Sequence, residues 1–375
     1  MHLQLDEERA LLQDTVRGFA KEQVRPHART WEEKGAIDGA VLDQAWQLGF
    51  ATLGVGPTFG GAADKDDAVP SALSNALVLE QLAWADLGFA LAACSPLHVT
   101  VPLALVGQEG LKREVLPGVL GSTSLPRATG AWVEAGRTYD VRAMATRSTP
   151  SAQGPVLSGK KTLVPRGDDS EITVVLAKTR GADEPAAFEP FVLLGKNVPG
   201  LSRGKRCDVI GPRAVPLVEL SFDEASARPL AHKSGVAHAQ LLERALVGSA
   251  AASLGVARAA VEYAVDYARE RRAFGRAIAQ NQSIAFMLAE GAMDVEALRW
   301  LVWKAAWKVD RDHPKGESAL AEASRAARFG ADLAFRVSDA CVQILGGHGV
   351  IRDHLAELFF RNSRTLAATP GWFMV

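Results

Sequence analysis

The sequence predicts an α+β protein in which a β segment separates two helical segments. Apolar residues recur at helical spacing over residues 1–120 and again over 234–375. Between them, residues 121–233 hold short runs of branched residues broken by prolines and glycines, which is the pattern of strands and turns. We therefore expect an N-terminal helical domain at 1–120, a middle β-barrel-like domain at 121–233 and a C-terminal four-helix bundle at 234–375.

The first 120 residues predict a series of helices. Apolar residues from Leu5 to Phe19 indicate the first helix, with acidic residues near its start and basic residues later, as the helix dipole favours. A Gly/Pro-rich loop is expected at 54–62. The other helices of this segment are predicted at Ala40–Gly49, Ser71–Ala85, Ala90–Val106 and Glu109–Leu120.

The rest of the chain predicts strands and then long helices. Strand-length runs lie at Glu171–Ala177, Phe191–Leu194 and Val215–Phe222. The first long helix is rich in small residues around Gly248 and Gly255, which lets helix axes approach closely. The helices are predicted at Val236–Arg272, Gln282–Val309, Glu317–Leu345 and Asp353–Ala367.

The composition excludes several classes of function. A formal net charge of −1 gives no basic field to recruit nucleic acid or anionic lipid. The three cysteines are scattered without metal-ligand spacing, so neither a disulfide framework nor a metal site is predicted. The N-terminus lacks the apolar core of a signal peptide, and no apolar run approaches the ~20 residues of a membrane span. We expect a soluble, cytoplasmic protein that binds no membrane.

Two stretches in the last third suggest a nucleotide site. The first runs from Tyr267 to Gly275 and continues to Gln282, and the second is Val342-Gln-Ile-Leu-Gly-Gly-His-Gly349. Arg271 ends a long helix, where its guanidinium suits a pyrophosphate. A glycine pair at a helix end lets a phosphate or ribose approach bare backbone amides, and glutamine side chains suit an adenosine edge. His348, between these glycines, is expected to face solvent.

Each feature alone has an ordinary interpretation. An arginine at a helix end is usually a solvated terminus that compensates the helix dipole. A lone Gly-Gly-x-Gly is a weak loop signal, and here it does not follow a strand as a dinucleotide fingerprint does. A stripe formed by Trp300, Trp303 and Trp307 is typical of core or a subunit interface, so we assign it no cofactor role.

Together the two stretches resemble the signature of the acyl-CoA dehydrogenase family, in which Tyr-Ala-x-x-Arg-x-x-Phe-Gly-x-x-Ile and a Gln precede Gln-x-x-Gly-Gly-x-Gly. The N-terminal helices, the Phe59-Gly-Gly61 loop and the α–β–α order extend the resemblance over the whole chain. It implies an FAD-dependent enzyme that acts on acyl-CoA and passes electrons to electron-transfer flavoprotein. In this family, each subunit also helps to hold the ADP half of an FAD that is bound mainly by the neighbouring subunit. The matching residues here are Arg271, Phe274, Gln282, Gln343, Gly346 and Gly347.

The resemblance also indicates a catalytic base, because the family removes an α-proton while hydride leaves the β-carbon. Most members carry this base in a Glu-Gly-Thr turn, where this chain has Pro370, which cannot accept a proton. Some members use a glutamate from the helix that opens the C-terminal domain, and Glu243 stands at that place. The alternative for Glu243 is a surface residue that pairs along its helix. Leu241 departs from the Asp often found there.

The positions that bind the flavin ring within the same chain are altered. The family's Thr-Glu-Pro-x-x-Gly-Ser-Asp reads Val133-Glu-Ala-Gly-Arg-Thr-Tyr-Asp140 here, which replaces the flavin-bonding hydroxyl by Val133. Its Gly-x-Lys-x-Trp-Ile-Thr reads Gly159-Lys-Lys-Thr-Leu-Val-Pro165, so Leu163 and Pro165 replace the Trp and the Thr. Each lost hydrogen bond in a buried polar site costs ~1 kcal/mol or more.

Three functions remain open on the sequence. The chain is an acyl-CoA dehydrogenase that works in a tetramer through Glu243. Alternatively, it is a flavin-poor, non-catalytic subunit that completes the FAD site of a paralogous subunit. A flavin oxidase or monooxygenase on the same fold is a further alternative. The positions that would reach a neighbouring subunit's FAD (the trans positions) are intact, and those that would bind the chain's own flavin ring (the cis positions) are altered. This contrast suggests a mixed tetramer. The assemblies that remain open are a homotetramer and an α2β2 heterotetramer.

Overall fold

The N-terminal part of the fold is helical. The structure, a computed structural model, describes residues 4–66, 68–136, 143–179, 188–231, 236–311, 318–369 and 371–375. Asp6 caps the first helix by accepting a hydrogen bond from the backbone amide of Arg9 at 2.8 Å. The helices of this part are α1 Glu7–Phe19, α2 Ala28–Lys34, α3 Gly39–Gln47, α4 Ala72–Ala85, α5 Leu87–Ala93, α6 Leu97–Val106 and α7 Glu109–Leu120.

The middle part forms an eight-stranded sheet among the described residues. Its order is β6-β7-β3-β2-β4-β5-β8, and β1 pairs in parallel with β4. Branched and aromatic residues of β4, β5 and β7 form its core. The strands are β1 Ala128–Ala131, β2 Arg147–Thr149, β3 Val156–Pro165, β4 Ile172–Thr179, β5 Phe188–Leu194, β6 Leu201–Arg206, β7 Leu217–Ser226 and β8 Arg228–Pro229.

The C-terminal part is a bundle of long helices. A short hairpin, β9 Arg272–Ala273 and β10 Arg276–Ala277, joins the first two helices. One segment, Ala239–Glu270, is long and apolar enough to cross a membrane, but 83% of its most apolar window is buried inside the protein, as in a core helix. The helices are α8 Val236–Glu270, α9 Gln282–Val309, α10 Leu320–Leu345 and α11 Ala356–Ala368.

Helix α8 joins the bundle to the N-terminal helices. At Gly255 it passes so close to α4 that an added Cβ would lie 2.4 Å from the Glu80 carbonyl oxygen. Beside this crossing, the buried Glu80 carboxylate accepts hydrogen bonds from Arg258 at 2.7 Å and Arg299 at 2.6 Å. Both donors reach Oε1, and their positive charges offset the cost of burying the carboxylate alone. The small residues of α8 therefore set helix spacing, as the sequence predicts.

A second tie between the two helical parts lies at the start of α4. The Asp310 carboxylate follows α9 and accepts hydrogen bonds from Ser71 Oγ at 2.7 Å and from the amides of Ala72 and Leu73 at 2.5 and 3.1 Å. The first amides of a helix have no partners within it, and a negative charge there is favoured by the helix dipole. The bundle thus caps a helix of the N-terminal part.

One helix boundary was predicted wrongly. The single helix expected at Ala90–Val106 is two helices, α5 and α6, which meet at an angle of 46°. Pro96 lies between them, and its missing amide and ring favour a break. Pro102, in contrast, is accommodated inside α6. The helix predicted from Glu317, which lies outside the described residues, is seen from Leu320.

Replacing Gly255 with Ala should destabilise the protein. The new Cβ would force α4 and α8 apart, at a cost of about 1–3 kcal/mol in the free energy of unfolding. Gly118→Ala is the matched control, because Gly118 is an exposed residue of helix α7 with no atom within 4 Å of an added Cβ. That change should stabilise the protein by about 0.5–1 kcal/mol. Urea unfolding measures both, and equal effects would contradict the close helix contact.

Candidate functional site

The Phe274-Gly275 turn projects from the end of α8. Strands β9 and β10 pair Arg272 with Ala277 and Ala273 with Arg276, which leaves the two turn residues at the tip. Both have positive φ, 52° for Phe274 and 80° for Gly275, as a two-residue hairpin turn requires. Such a φ is unusual for a bulky residue. The turn holds the Phe274 ring fully in solvent, at 105% relative exposure.

The glycine turn after α10 lies near the same end of the bundle. Gly346 has φ +59°, and an added Cβ at Gly346 or Gly347 would meet no atom within 4 Å. His348 Nδ1 lies 2.9 Å from Tyr267 Oη on α8, which connects the turn to the helix that carries Arg271. The two predicted nucleotide motifs therefore lie on adjoining elements, with open backbone between them.

The prediction that His348 faces solvent is wrong. Its half-buried ring stacks on His354 with 5.1 Å between ring centroids and 13° between planes. His354 Nδ1 lies 2.8 Å from Tyr263 Oη. The short helix Gly346–Val350 turns the imidazole back onto α8, where two tyrosine hydroxyls hold the histidine pair. His348 thus orders the glycine turn.

The predicted trans residues share one property, which is exposure. Within the described residues, the side chains of Arg271, Gln282 and Gln343 make no hydrogen bond or ion pair, although arginine and glutamine can each donate several. Polar groups without a protein partner are available to a ligand or to another chain. The exposed set is Arg271, Phe274, Gln282, Gln343, Gly346 and Gly347.

The predicted cis positions are buried or partly buried instead. Pro165 is buried and Val133 and Leu163 are partly buried. Each carbonyl oxygen already accepts a hydrogen bond: Val133 from the Thr162 amide at 2.9 Å, Leu163 from Trp372 Nε1 at 2.9 Å and Pro165 from Thr129 Oγ1 at 2.6 Å. Asp140 and Pro370 lie outside the described residues.

A buried ion pair holds the two cis segments together. Lys161 Nζ lies 2.9 Å from Glu134 Oε1, and Glu134 also accepts hydrogen bonds from the amides of Ala145 at 2.7 Å and Thr146 at 3.0 Å. Burial lowers the pKa of Lys161 to about 8 against the opposing effect of the Glu134 carboxylate. Glu134, which matches the family motif, is therefore committed to a structural pair.

Glu243 is buried rather than on the surface. This α8 residue is 2% exposed, and its side chain accepts a hydrogen bond from Ser318 Oγ. The next residue, Arg244, is also buried, and its Nη1 donates to the Val375 carbonyl at 2.7 Å. Burial lowers the pKa of Arg244 to about 10, opposed by the charges of Asp310 and Glu243. The surface interpretation of Glu243 is thus wrong.

Residues 371–375 form a buried segment that sequence reasoning missed. The Gly371 amide donates to Ser249 Oγ at 3.2 Å, and the Gly371 carbonyl lies 3.3 Å from His98 Nε2. Trp372, Phe373, Met374 and Val375 are each 3% exposed or less. A five-residue run of mostly apolar residues has no readable periodicity, and the only signal was its unbroken hydrophobicity after Pro370.

Comparison with known proteins settles the family. Models for the N-terminal, middle and C-terminal domains of acyl-CoA dehydrogenases match residues 6–122, 129–225 and 235–371. The chain belongs to the acyl-CoA dehydrogenase family. A probable acyl-CoA dehydrogenase of Mycobacterium leprae is 30% identical over 98% of this chain and 92% of its own length.

Two other relatives share nearly the whole length of this acyl-CoA dehydrogenase family member. A 3-(aryl)acrylate reductase of Clostridium sporogenes is 29% identical over 97% of this chain and 95% of its own. The structure of butyryl-CoA dehydrogenase from Megasphaera elsdenii superposes with a TM-score of 0.85 at 27% identity, covering 99% of this chain and 96% of that one. The α+β fold with helical ends and a sheet in the middle is thereby confirmed.

FAD dependence is general to acyl-CoA dehydrogenases, and the two halves of the site fit FAD differently. The exposed half offers an unpaired guanidinium in Arg271 and open backbone at Gly346 and Gly347, which suits a pyrophosphate. The enclosed half offers Val133, Leu163 and Pro165, which have no side-chain hydrogen-bonding group. The exposed residues therefore suit the nucleotide half of FAD, whereas the three altered positions offer a flavin ring no side-chain hydrogen bond.

His98 should make stability depend on pH. Burial lowers the pKa of His98 to about 4, against about 6.5 in an unfolded chain. As pH falls from 6.5 toward 4, the His98 imidazole is protonated in the unfolded chain but stays neutral in the folded chain. The free energy of unfolding therefore falls, by about 2 kcal/mol at pH 5.

The variant His98→Gln lacks this titration. We expect the difference in the free energy of unfolding between wild type and variant to shrink by about 2 kcal/mol between pH 7 and pH 5. Urea unfolding at both pH values measures it. A difference that stays constant would show that His98 is protonated in the folded protein.

Proposed function

We propose that this chain works in the FAD-dependent α,β-desaturation of an acyl-CoA by completing the FAD site of a paralogous subunit in a mixed tetramer. The observation that carries the proposal is the division of the predicted site residues into intact and altered positions. The six trans positions keep the family's residues and are exposed, whereas Val133, Leu163 and Pro165 have lost the family's residues and are buried or partly buried. Loss of function by chance would not respect that division.

The exposed residues have the chemistry that a neighbour's cofactor needs. Arg271 supplies a permanent positive charge for a pyrophosphate, and the Phe274 ring, fully exposed, offers an apolar surface to another chain or a ligand. FAD, when bound, accepts the hydride from the β-carbon of the thioester. Acyl-CoA binds in the paralogous subunit, and electron-transfer flavoprotein receives the electrons. This chain positions the nucleotide.

A second candidate is desaturation by this chain itself with Glu243 as the base. Its support is the burial of Glu243, which lies inside the protein at 2% exposure rather than on its surface. For Glu243 to act, the Ser318 hydrogen bond must be exchanged for a substrate contact.

Arg271→Gln should weaken FAD binding in the mixed complex. The chain is co-purified with the family members encoded beside it, and the flavin content and Kd for FAD are measured from visible absorbance. Loss of a charge-assisted hydrogen bond, worth about 1.5–3 kcal/mol, should raise the Kd about tenfold or more. Arg269→Gln is the matched control, because Arg269 is exposed two residues earlier. Equal Kd values for the two variants, or no complex with any paralogue, would count against the proposal.

Glu243→Gln separates the two candidates. If this chain only completes the partner's site, the rate of acyl-CoA desaturation by the assembled complex should stay within about twofold of wild type, since general-base catalysis is absent from this chain. If Glu243 is the base, the rate should fall by about 10²–10⁴. The assay follows reduction of a dye acceptor by the purified complex, with FAD content matched between the samples.

A further inference from the structure

Residues 371–375 lie between the two sets of positions that the family assigns to the chain's own reaction site. Trp372 Nε1 donates to the carbonyl of Leu163, one of the three positions where the family contacts the flavin ring. At the other end, Val375 accepts from Arg244, which follows the candidate base Glu243. The segment thus contacts a position assigned to the flavin ring at one end and the neighbour of the candidate base at the other.

The segment is fitted along α8. It contacts Ser249 at Gly371, Gly248 at Phe373 and Arg244 at Val375, so it runs antiparallel to the helix. A Cβ on Gly248 would lie 2.9 Å from the Phe373 Cβ and 3.1 Å from the Phe373 carbonyl carbon and oxygen. The absence of a side chain at Gly248 is what gives the segment room.

The burial of the segment is close to complete. Trp372 is 3% exposed, Phe373 1%, and Met374 and Val375 0%. All four side chains belong to the main apolar core, together with residues of α6 and α8. Burying each large apolar side chain contributes about 1.5–3 kcal/mol, so the segment is held firmly.

Polar side chains, His98 and Arg244, surround the largely apolar segment. Arg244 Nε is buried and makes no hydrogen bond within the described residues, although Nη1 of the same side chain donates to Val375. Buried polar atoms are normally paired. A buried guanidinium and the buried His98 imidazole beside a largely apolar peptide are what a cleft for a more polar ligand would contain.

We propose that the 371–375 segment occupies this chain's own half-site and excludes a flavin ring from it. The Trp372 indole is a planar fused ring whose N–H satisfies the Leu163 carbonyl, and it fills the space of a larger heteroaromatic ring with hydrogen-bonding nitrogens. The inference is separate from the proposed function, because the exposed residues around Arg271 can serve a partner whether or not this cleft is filled.

The test measures FAD binding to the isolated chain. Wild type, Trp372→Ala, Trp372→Phe and a chain lacking residues 371–375 are titrated with FAD, and binding is followed by quenching of flavin fluorescence and by equilibrium dialysis. If the cleft is open in less than about one tenth of wild-type molecules, Trp372→Ala and the deletion should bind FAD at least about tenfold more tightly. Trp372→Phe, which keeps an aromatic ring in place, should bind close to wild type.

A peptide of sequence Gly-Trp-Phe-Met-Val provides the second measurement. Added to the shortened chain, it should raise the apparent Kd for FAD by competing for the cleft. Circular dichroism and thermal unfolding identify folded variants, and if the deletion does not fold, Trp372→Ala carries the titration and the peptide competition. Tight FAD binding by the wild-type chain, or no gain in a folded variant, would overturn the proposal.

Discussion

Helix α8 touches α4 on one side and the 371–375 segment on another, and a glycine sets the distance at each contact. Gly255 admits the backbone of α4 at Glu80, and Gly248 admits the backbone of Phe373. Where two backbones are this close, even a methyl group forces them apart. These two contacts set how closely α8 approaches α4 and the 371–375 segment.

The same helix serves both halves of the site because it is long. Its 35 residues span about 50 Å at the usual rise. Glu243 and Arg244, which are both buried, lie near its N-terminal end. Tyr267 lies near its C-terminal end, where it contacts the glycine turn. Packing of α8 therefore fixes one half-site inside the chain and presents the other at the surface. Substitutions in one half-site can therefore leave the position of the other half-site unchanged.

Sequence reasoning succeeded where motifs or periodicity carried the information. The long helices follow from spacing. The break at Pro96 was missed although the proline itself signals it. Sequence reasoning failed where tertiary contact decides the outcome, as in the burial of His348 against Tyr267, a partner far away in sequence. Pro370 signalled the loss of the usual base, but the position of residues 371–375 depends on Gly248 and Leu163, which no local pattern connects to them.

The filled cleft also limits how this lineage can evolve. Trp372 to Val375 are now part of the main core, and a domain's net stability is only about 5–15 kcal/mol. A mutation that emptied the cleft would remove several kcal/mol of that stability before any catalytic advantage could appear. Opening the cleft to a flavin ring would therefore require stabilising substitutions elsewhere first.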